Sequence, residues 1–570
     1  MEAEPLKGTT NRHEQGRDEL VFLPLGGCGE IGMNLNAYGY GPPEARRWIL
    51  VDVGVTFGNS ETPGIDLICA DPGYLIGEQI DAVFLTHAHE DHIGAVGLLY
   101  PLLRTKAPIY ATPFTCELVR SKMDERGVDQ RWLKTISMGA TIKAGPFEVT
   151  YVTLTHSIPE PNALAIRTPA GLILHTGDWK IDPHPQIGAT TDIEGLTALG
   201  DEGVLAMVCD STNVFEDGEA GSEETVRQGL IDLIAQQEQA VAVTTFASNV
   251  ARVKSIIDAA NQAGRSVCLV GRSMHRVTAA AKAVGILPAR LDFVDEAEAG
   301  YLPPENILYL CTGSQGEANA ALSRIARGDH RHVALREGDS VIFSSRLIPG
   351  NETGVYGLQN TLAEQGIRVI TPRMVPQTIH VSGHPCRDEL RRMYQWVRPH
   401  IAVPVHGERR HILEHASFAR SLQVPETVAP RNGSLIRLSP GEAEIIDEVP
   451  AGRLFLDGSR LIPEGSQGLI ERKRLHGSGV IFAAVTLDSA GRVVDGPVVV
   501  VKGLSETDGR VAEESLEVLD DAAVSALSGL SRKDRNDDEA IERVMGRALR
   551  KSCDVNFGLK PMIEVVVLRS

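Results

Sequence analysis

The chain has 570 residues and a formal net charge of −19. Its length exceeds what one hydrophobic core normally supports, so several domains are expected. With 42% hydrophobic residues it has the composition of a globular protein, and no apolar run reaches the roughly 20 residues of a membrane span. The acidic charge weighs against a nucleic-acid partner without excluding one, because bound metal ions supply positive charge locally.

The first part of the chain predicts a layered α/β domain over residues 19–221, after a polar arm at 1–18. The arm has no apolar signal core, so it is expected to be a disordered extension of a cytoplasmic protein. Short apolar strands are predicted at 20–23, 48–51, 82–85, 147–154, 172–174 and 204–208, with helices at 94–103 and 113–123. The 8 cysteines are scattered without a C-x-x-C pair and are expected to be reduced core residues.

The most informative motif directly follows the strand at 82–85. It places three imidazoles and a carboxylate in six residues: His87, His89, Asp91 and His92. Because alternate residues of a strand end face opposite ways, one ion cannot take all four groups, and the spacing favours two metals. Imidazole and carboxylate without thiolate suit zinc or manganese with water as a further ligand. The alternative is a His-rich polar loop.

The pattern changes at residue 222. Strands and helices alternate through 222–375, which predicts an inserted, doubly wound parallel domain. Strand 401–405 then ends at His406, so 376–449 are expected to return to the first domain. Residues 450–468 are interpreted as a linker, and 469–570 as a small α+β domain.

Further candidate ligands also follow predicted strands: Asp52, His156 and Asp178. Each alone is typical of a cap or turn, but α/β sheets build their sites at the carboxyl ends of strands. The spacing Gly27-x-Gly29-x-x-Gly32 matches the sequence fingerprint of a dinucleotide-binding loop. The residues after Gly32 alternate like a strand instead of opening a helix, so the glycines are interpreted as a tight loop near the metals.

With these motifs in this order, the chain resembles the metallo-β-lactamase superfamily, and its insert resembles the β-CASP group of nucleic-acid-processing enzymes. Asp210 in C-D-S-T-N, His384 in H-V-S-G-H and His406 in V-H-G-E match the three β-CASP motifs. The opening L-G-G-C-G-E-I-G-M-N and the added C-terminal domain look most like the bacterial ribonuclease J family, apart from Cys28, where valine is more usual. The fold implied is an αββα sandwich with an inserted parallel α/β domain and a small C-terminal α+β domain.

The resemblance implies a role for each candidate. His87, His89 and His156 would hold one zinc, and Asp91, His92 and His406 a second, with Asp178 bridging. Asp52 would orient an imidazole or the water, and Asp210 would support its motif. The two zinc ions, for which Mn²⁺ or Mg²⁺ could substitute, would activate a water on the scissile phosphate. His384 would donate a proton to the leaving 3′-oxygen; the alternative is a histidine bonded to backbone.

Phosphate donors are expected next to His384, at His380, Ser382 and Gly383. Weaker candidates lie in the insert, each of them equally typical of an ordinary helix cap or surface residue. They are Ser248, Asn249, Arg272, Ser273, Ser344 and Ser345.

The leading hypothesis is a zinc-dependent ribonuclease that degrades single-stranded RNA 5′→3′ from a monophosphorylated end, with additional endonuclease activity, in RNA maturation and mRNA decay. The 5′ preference comes from the resemblance alone. Alternatives are a strictly endonucleolytic relative, a small-molecule hydrolase, a redox diiron protein and a non-catalytic scaffold. Expected partners are RNA, further copies in a homodimer or homotetramer, and degradation partners such as a helicase, with no membrane.

Overall fold

The computed structural model describes residues 18–59, 61–348, 350–504 and 513–570. The predicted arm at 1–18 therefore lies outside the described residues except for Asp18. The chain forms two compact units, one containing the described residues up to Thr56 together with Cys69–Arg453, the other Phe57–Ile68 and Leu454–Ser570. Within the described part, no helix is long and apolar enough to cross a membrane. All eight cysteines are buried and none forms a disulfide, which confirms the prediction made for them.

Two large β-sheets form the body of the first unit. The eight-stranded sheet has the spatial order Glu444–Glu448, Ser434–Ser439, Glu19–Gly26, Leu35–Gly41, Arg47–Val51, Gln79–Phe84, Ile109–Ala111 and Leu133–Thr135. The seven-stranded sheet has the order Thr141–Ala144, Phe147–Thr153, Asn162–Thr168, Gly171–His175, Val204–Asp210, Ile401–Val405 and Glu426–Thr427. Its last four strands run parallel, with Val208 in register with His175 on one side and Val403 on the other.

The hydrophobic core lies between these two sheets. Alternate residues of both sheets point into it, for example Phe22 and Phe84 from one sheet and Tyr151 and Val208 from the other. The opposite face of the seven-stranded sheet is covered by helices Ile193–Glu202, Arg387–Val397 and Arg409–Ser421. Helix Pro113–Glu125 lies on the eight-stranded sheet, where the Cys116 thiol donates to the carbonyl of Ala111.

The predicted helix at 94–103 is wrong in extent. The structure has two four-residue helices, Glu90–Ile93 and Val96–Leu99. The break comes at Ala95, because its N–H donates to the carbonyl of Val53 at 2.9 Å and not to a carbonyl of the preceding turn.

The insert is a five-stranded parallel sheet with helices on both faces, as predicted. Its spatial order is Ser266–Val270, Ile307–Cys311, Val241–Thr244, Ser340–Phe343 and Arg368–Ile370. One face is covered by helices Glu223–Ala235, Val250–Gln262 and Arg272–Ala283. The other face is covered by helices Ala321–Ala326 and Glu352–Glu364. Ala299, at the end of the short helix Glu296–Ala299, packs into the same core. Strand 401–405 rejoins the seven-stranded sheet, so the chain does return to the first domain after the insert.

The second unit contains a three-stranded sheet with helices on one face. Strand Val480–Leu487 lies between Val493–Lys502 and Met562–Arg569. The helices are Gln467–Ser478, Glu513–Ser528 and Asp538–Phe557, and the last two share the core with the sheet. The stretch interpreted as a linker contains a β-hairpin, in which strand Arg453–Asp457 pairs with Arg460–Pro463. Short strands Val55–Phe57 and Leu67–Ala70 lie where the chain passes between the units.

Candidate metal centre and active site

Five strand ends bring the candidate site residues together. The segment from Thr86 to His92 follows strand Gln79–Phe84, and the other residues follow or end strands of the seven-stranded sheet. These residues are His156, Asp178, Asp210 and His406. Parallel neighbours present their carboxyl ends at one edge, so the fold gathers at one place groups that are up to 319 residues apart, from His87 to His406.

The first group of donors consists of His87, His89 and His156 with Asp178. His89 Nδ1 lies 3.1 Å from His87 Nε2 and 3.0 Å from His156 Nε2. Asp178 Oδ2 lies 3.8 Å from each of these two Nε2 atoms.

The second group consists of Asp91, His92 and His406, again with Asp178. His406 Nε2 is 3.1 Å and His92 Nε2 is 3.6 Å from Asp91 Oδ2. The same Asp178 Oδ2 atom lies 3.2 Å from His92 Nε2. A single carboxylate oxygen is therefore close to both groups, as a bridging ligand would be.

These distances fit two metal ions. Around a tetrahedral zinc with bonds of about 2.0–2.1 Å, neighbouring donor atoms lie about 3.3 Å apart. Separations of 3.0 to 3.8 Å bracket that value in both groups. The donors are imidazole nitrogens and carboxylate oxygens, which suit zinc or manganese.

Four of the five imidazoles are hydrogen-bonded at Nδ1, the ring nitrogen that faces away from the other donors, and these bonds fix the orientation of the rings. His92 Nδ1 donates to Asp52 Oδ2 at 2.7 Å, and His156 Nδ1 to the carbonyl of Gly383 at 2.5 Å. The Nδ1 atoms of His87 and His406 lie 2.9 Å from the hydroxyls of Thr86 and Thr212, respectively. In its neutral form each ring thus carries its proton on Nδ1 and presents the lone pair of Nε2 to the centre. His89 is the exception, since its Nδ1 faces the other donors.

The histidines of the two donor groups have pKa values shifted in opposite directions. Burial lowers the pKa of His87 and His156 well below the ordinary value and that of His89 to about 4, so these rings are neutral and ready to bind metal. Burial would also lower the pKa of His92 and His406, but nearby carboxylates, Asp178 foremost, outweigh it. The pKa of His92 is raised well above 6.5 and that of His406 to about 10. Metal binding at the second group must therefore displace protons.

Two residues at the centre have a left-handed backbone that side chains other than glycine seldom adopt. Asp52 has φ 63° and His406 has φ 52°, and such conformations cost roughly 1–3 kcal/mol each. Both are held by backbone hydrogen bonds: Asp52 N donates to Phe84 O at 2.9 Å, and His406 N to Gly27 O at 2.7 Å. The second bond also places the glycine loop beside His406.

His384 lies against the same centre, on the side of the insert. Its Nδ1 is 2.8 Å from Asp210 Oδ2 and 3.9 Å from Asp178 Oδ2. Its ring stacks on that of His406, with centroids 5.6 Å apart. Burial lowers the pKa of His384, but the charge and hydrogen bond of Asp210 raise it above the ordinary value. Asp210 also accepts bonds from the N–H and hydroxyl of Thr212, so it holds both His384 and the turn after its strand.

The predicted phosphate donors are brought together only in part. Asn249 caps helix Val250–Gln262 and its side-chain oxygen accepts from Arg252 N. The Ser344 hydroxyl donates to the carbonyl of Ile379, and both Ser344 and Ser345 are buried. Arg272 is exposed and begins helix Arg272–Ala283, while Ser248 and Ser273 are half-buried.

His380 and Ser382 lie on the segment that carries His384, and Gly383 contacts His156.

Sequence reasoning missed Arg252, which joins several of these candidates. It is fully buried, forms a two-point ion pair with Glu223 at 2.8 and 2.9 Å, and donates to Ser344 Oγ at 2.9 Å. Its Nη1 lies 3.4 Å from His380 Nδ1. An arginine in the first turn of an amphipathic helix carries no signal of burial. Thr86 and Thr212 were also missed, although Thr86 directly precedes His87 and Thr212 lies within the quoted C-D-S-T-N motif.

Four families of known domains match the chain. They are the beta-lactamase superfamily domain at 47–197, the ribonuclease J beta-CASP domain at 238–362, the Zn-dependent metallo-hydrolase RNA specificity domain at 357–424 and the ribonuclease J C-terminal domain at 468–570. The chain is 44% identical over 568 residues to ribonuclease J of Sinorhizobium meliloti, covering 99% of this chain and 100% of the relative. The chain belongs to the ribonuclease J family.

Other members of the ribonuclease J family give the same result. The Mycolicibacterium smegmatis enzyme is 38% identical, covering 96% of this chain and 97% of the relative. Ribonuclease J 1 of Streptococcus pyogenes is 34% identical, covering 97% of this chain and 98% of the relative. A protein of unknown function from Enterococcus faecalis shares the fold over 74% of this chain and 100% of its own, with a TM-score of 0.51 and 17% identity. The predicted fold class, a metallo-β-lactamase domain with a β-CASP insert and a C-terminal domain, is confirmed.

Proposed function

We propose that the chain is a two-zinc ribonuclease that degrades RNA 5′→3′ from monophosphorylated ends and also cuts internally. Membership of the ribonuclease J family supports a metal-dependent ribonuclease. The observation that carries the proposal further is the pair of donor groups that share Asp178 Oδ2, with His384 3.9 Å from the same atom. A centre of this form would hold metal ions, which neutralise negative charge, and a proton donor beside one phosphate.

Zinc ions held by the two groups would supply the Lewis acidity that activates water and neutralises the phosphate. The chain's own residues provide the rest. Asp52 and Gly383 keep His92 and His156 aligned through their Nδ1 atoms. His384 is held by Asp210 at Nδ1, which leaves Nε2 as the atom that can give a proton to the leaving 3′-oxygen.

The proposed RNA contacts lie at the junction of the insert with the first domain. His380, Ser382 and the residues joined by Arg252 are the candidates for binding a phosphate near the scissile one. The proposal extends to homodimers or homotetramers, degradation partners such as a helicase, and a cytoplasmic setting. The absence of disulfides among the eight buried cysteines supports a reducing compartment.

The test uses a short single-stranded RNA, labelled at its 3′ end, with a 5′-monophosphate, hydroxyl or triphosphate. Wild type, His384→Ala and Asp178→Ala proteins are loaded with zinc and compared, and a 5′-labelled substrate is run in parallel. We expect progressively shorter 3′-labelled products from the monophosphate substrate, release of labelled mononucleotide, and no cleavage by Asp178→Ala. Discrete internal cuts that ignore the 5′ group would instead show an endonuclease. A wild-type protein that cuts no RNA would overturn the proposal.

A further inference from the structure

The side chain of Asn213 contacts the segment that carries His384. Asn213 lies three residues after Asp210 and is 6% exposed. Its Nδ2 donates to the carbonyl of His384 at 2.9 Å and to the hydroxyl oxygen of Ser382 at 2.8 Å. The same Ser382 oxygen accepts the backbone N–H of His384 at 3.2 Å. The backbone of His384 is therefore held at its carbonyl by Asn213 directly and at its N–H through Ser382.

The inserted domain determines which way the Asn213 amide points. Its Oδ1 accepts a hydrogen bond from Arg346 Nη1 at 3.3 Å, and Arg346 Nη2 pairs with Glu216 at 2.7 Å. If the amide were turned over, its oxygen would face the carbonyl of His384, and its NH₂ group would face the guanidinium. Both contacts would be repulsive, so Arg346 selects the orientation that binds His384.

Asp210 and Asn213 hold different parts of the same residue. Asp210 bonds the ring of His384 at Nδ1, at 2.8 Å, whereas Asn213 bonds its backbone. A ring bonded at one atom can still swing about that bond when its backbone moves. Proton transfer needs the donor within hydrogen-bond reach of the leaving oxygen, so the backbone restraint has a direct consequence for catalysis.

We propose that Asn213 is a positioning residue for His384 and that Arg346 of the insert orients it, so that the contact between the two domains sets the efficiency of leaving-group protonation. This rests on the proposed function. In the step concerned, a water molecule gives up one proton to solvent and its oxygen bonds to phosphorus, the bond from phosphorus to the 3′-oxygen breaks, and a proton passes from His384 Nε2 to that oxygen; His384 then regains a proton from solvent.

The test compares an ordinary RNA with one in which sulfur replaces the 3′-oxygen of the scissile linkage. A thiolate leaves without being protonated, so this substrate does not need the proton donor. The variants are Asn213→Asp, which replaces the donor NH₂ with oxygen at equal size, and Ser382→Ala. We expect Asn213→Asp to cut the ordinary RNA about 10- to 100-fold more slowly, part of the effect of general-acid loss. On the sulfur substrate it should act within a few-fold of wild type.

Three controls make each outcome decisive. Exposed Asn261→Asp should leave both rates unchanged, bound zinc should stay at the wild-type level in every variant, and Arg346→Ala should shift the two rates as Asn213→Asp does but less. If Asn213→Asp does not fold, Asn213→Ala takes its place. Equal loss on both substrates in the Asn213 variant, with His384→Ala rescued by sulfur, would overturn the positioning role alone. Failure of sulfur to rescue His384→Ala would overturn the proposed proton donor itself.

Discussion

The carboxylate of Asp52 lies 2.7 Å from His92 Nδ1, on the side of the ring away from Asp178. Both Asp52 oxygens are further bound by Thr86, whose N–H donates to Oδ1 at 2.8 Å and whose hydroxyl lies 2.9 Å from Oδ2. The carboxylate therefore fixes the plane and the tautomer of His92. It acts through the imidazole and is fully buried.

Replacing Asp52 by Asn should weaken metal binding at the second group. The amide is a poorer acceptor for His92 Nδ1–H, and loss of such a supporting bond typically lowers metal affinity about 10- to 100-fold. Zinc content after dialysis against a weak chelator measures this, and we expect a fall from two ions towards one per chain. Exposed Asp232→Asn is the matched control. Retention of both ions by the Asp52 variant would contradict the assignment.

Gly383→Ala should displace His156. A Cβ at residue 383 would lie 2.6 Å from Ser157 Oγ and 2.9 Å from His156 Cε1, closer than such atoms approach. Because Gly383 O also accepts the His156 Nδ1 bond, the ring must move with the loop. We expect RNA cleavage to fall at least about 10-fold. Gly357→Ala, where a Cβ meets nothing within 4 Å, is the control and should cleave RNA as wild type does. Equal activity of the two variants would show that the loop adapts.

Thr212→Val should loosen His406 without changing side-chain size. The Thr212 hydroxyl donates to Asp210 Oδ1 at 2.7 Å, so its oxygen is free to accept His406 Nδ1–H at 2.9 Å. The variant should bind the second zinc about 10-fold more weakly, measured by competition with a chromogenic chelator. Thr197→Val, which removes a hydroxyl bonded only to a carbonyl on helix Ile193–Glu202, tests the substitution itself. Unchanged zinc affinity would show that His406 needs no such acceptor.

The buried pair of Glu223 and Arg252 should make stability depend on pH. Burial raises the pKa of Glu223, but Arg252 outweighs it and lowers the value from 4.5 to about 2. Since the folded pKa is below the unfolded one, the pair stabilises the fold above about pH 4.5, and this contribution is lost as the pH falls towards 2. A shift of this size corresponds to about 3 kcal/mol at neutral pH.

Glu223→Gln should therefore lower the free energy of unfolding at pH 7, and its difference from wild type should shrink below pH 4.5. Urea unfolding followed by tryptophan fluorescence suits the test, because all 4 tryptophans lie in the unit that contains the pair. The control is Glu224→Gln, because Glu224 is next in the chain and less buried. Its free energy of unfolding should differ little from that of wild type at every pH. A difference for Glu223→Gln that stays constant down to pH 3 would refute the linkage.

The sequence alone determined much of the fold and the donor set. Strand Ile401–Val405 has the predicted bounds, and Arg47–Val51 and Val204–Asp210 differ from the predicted 48–51 and 204–208 only at one end, because continuous apolar runs favour buried strands. The ligand motif could also be read directly, since His87 to His92 are neighbours in the chain. Local pattern failed at 94–103: the Ala95 N–H donates to a distant carbonyl, Val53 O, so the helix begins only at Val96, and it ends at Leu99, two residues before Pro101.

Only the tertiary structure decided how the donors divide and what orients them. That Asp178 Oδ2 faces both groups, that Thr212 and Gly383 set ring tautomers, and that Arg252 is buried all depend on contacts between residues far apart in sequence. Asn213 gives the clearest case: its partners His384 and Arg346 lie more than a hundred residues away, on segments that meet only where the insert joins the first domain. A sequence pattern records which groups are available. Their distances and hydrogen-bond partners arise from packing, which acts between residues regardless of their separation along the chain.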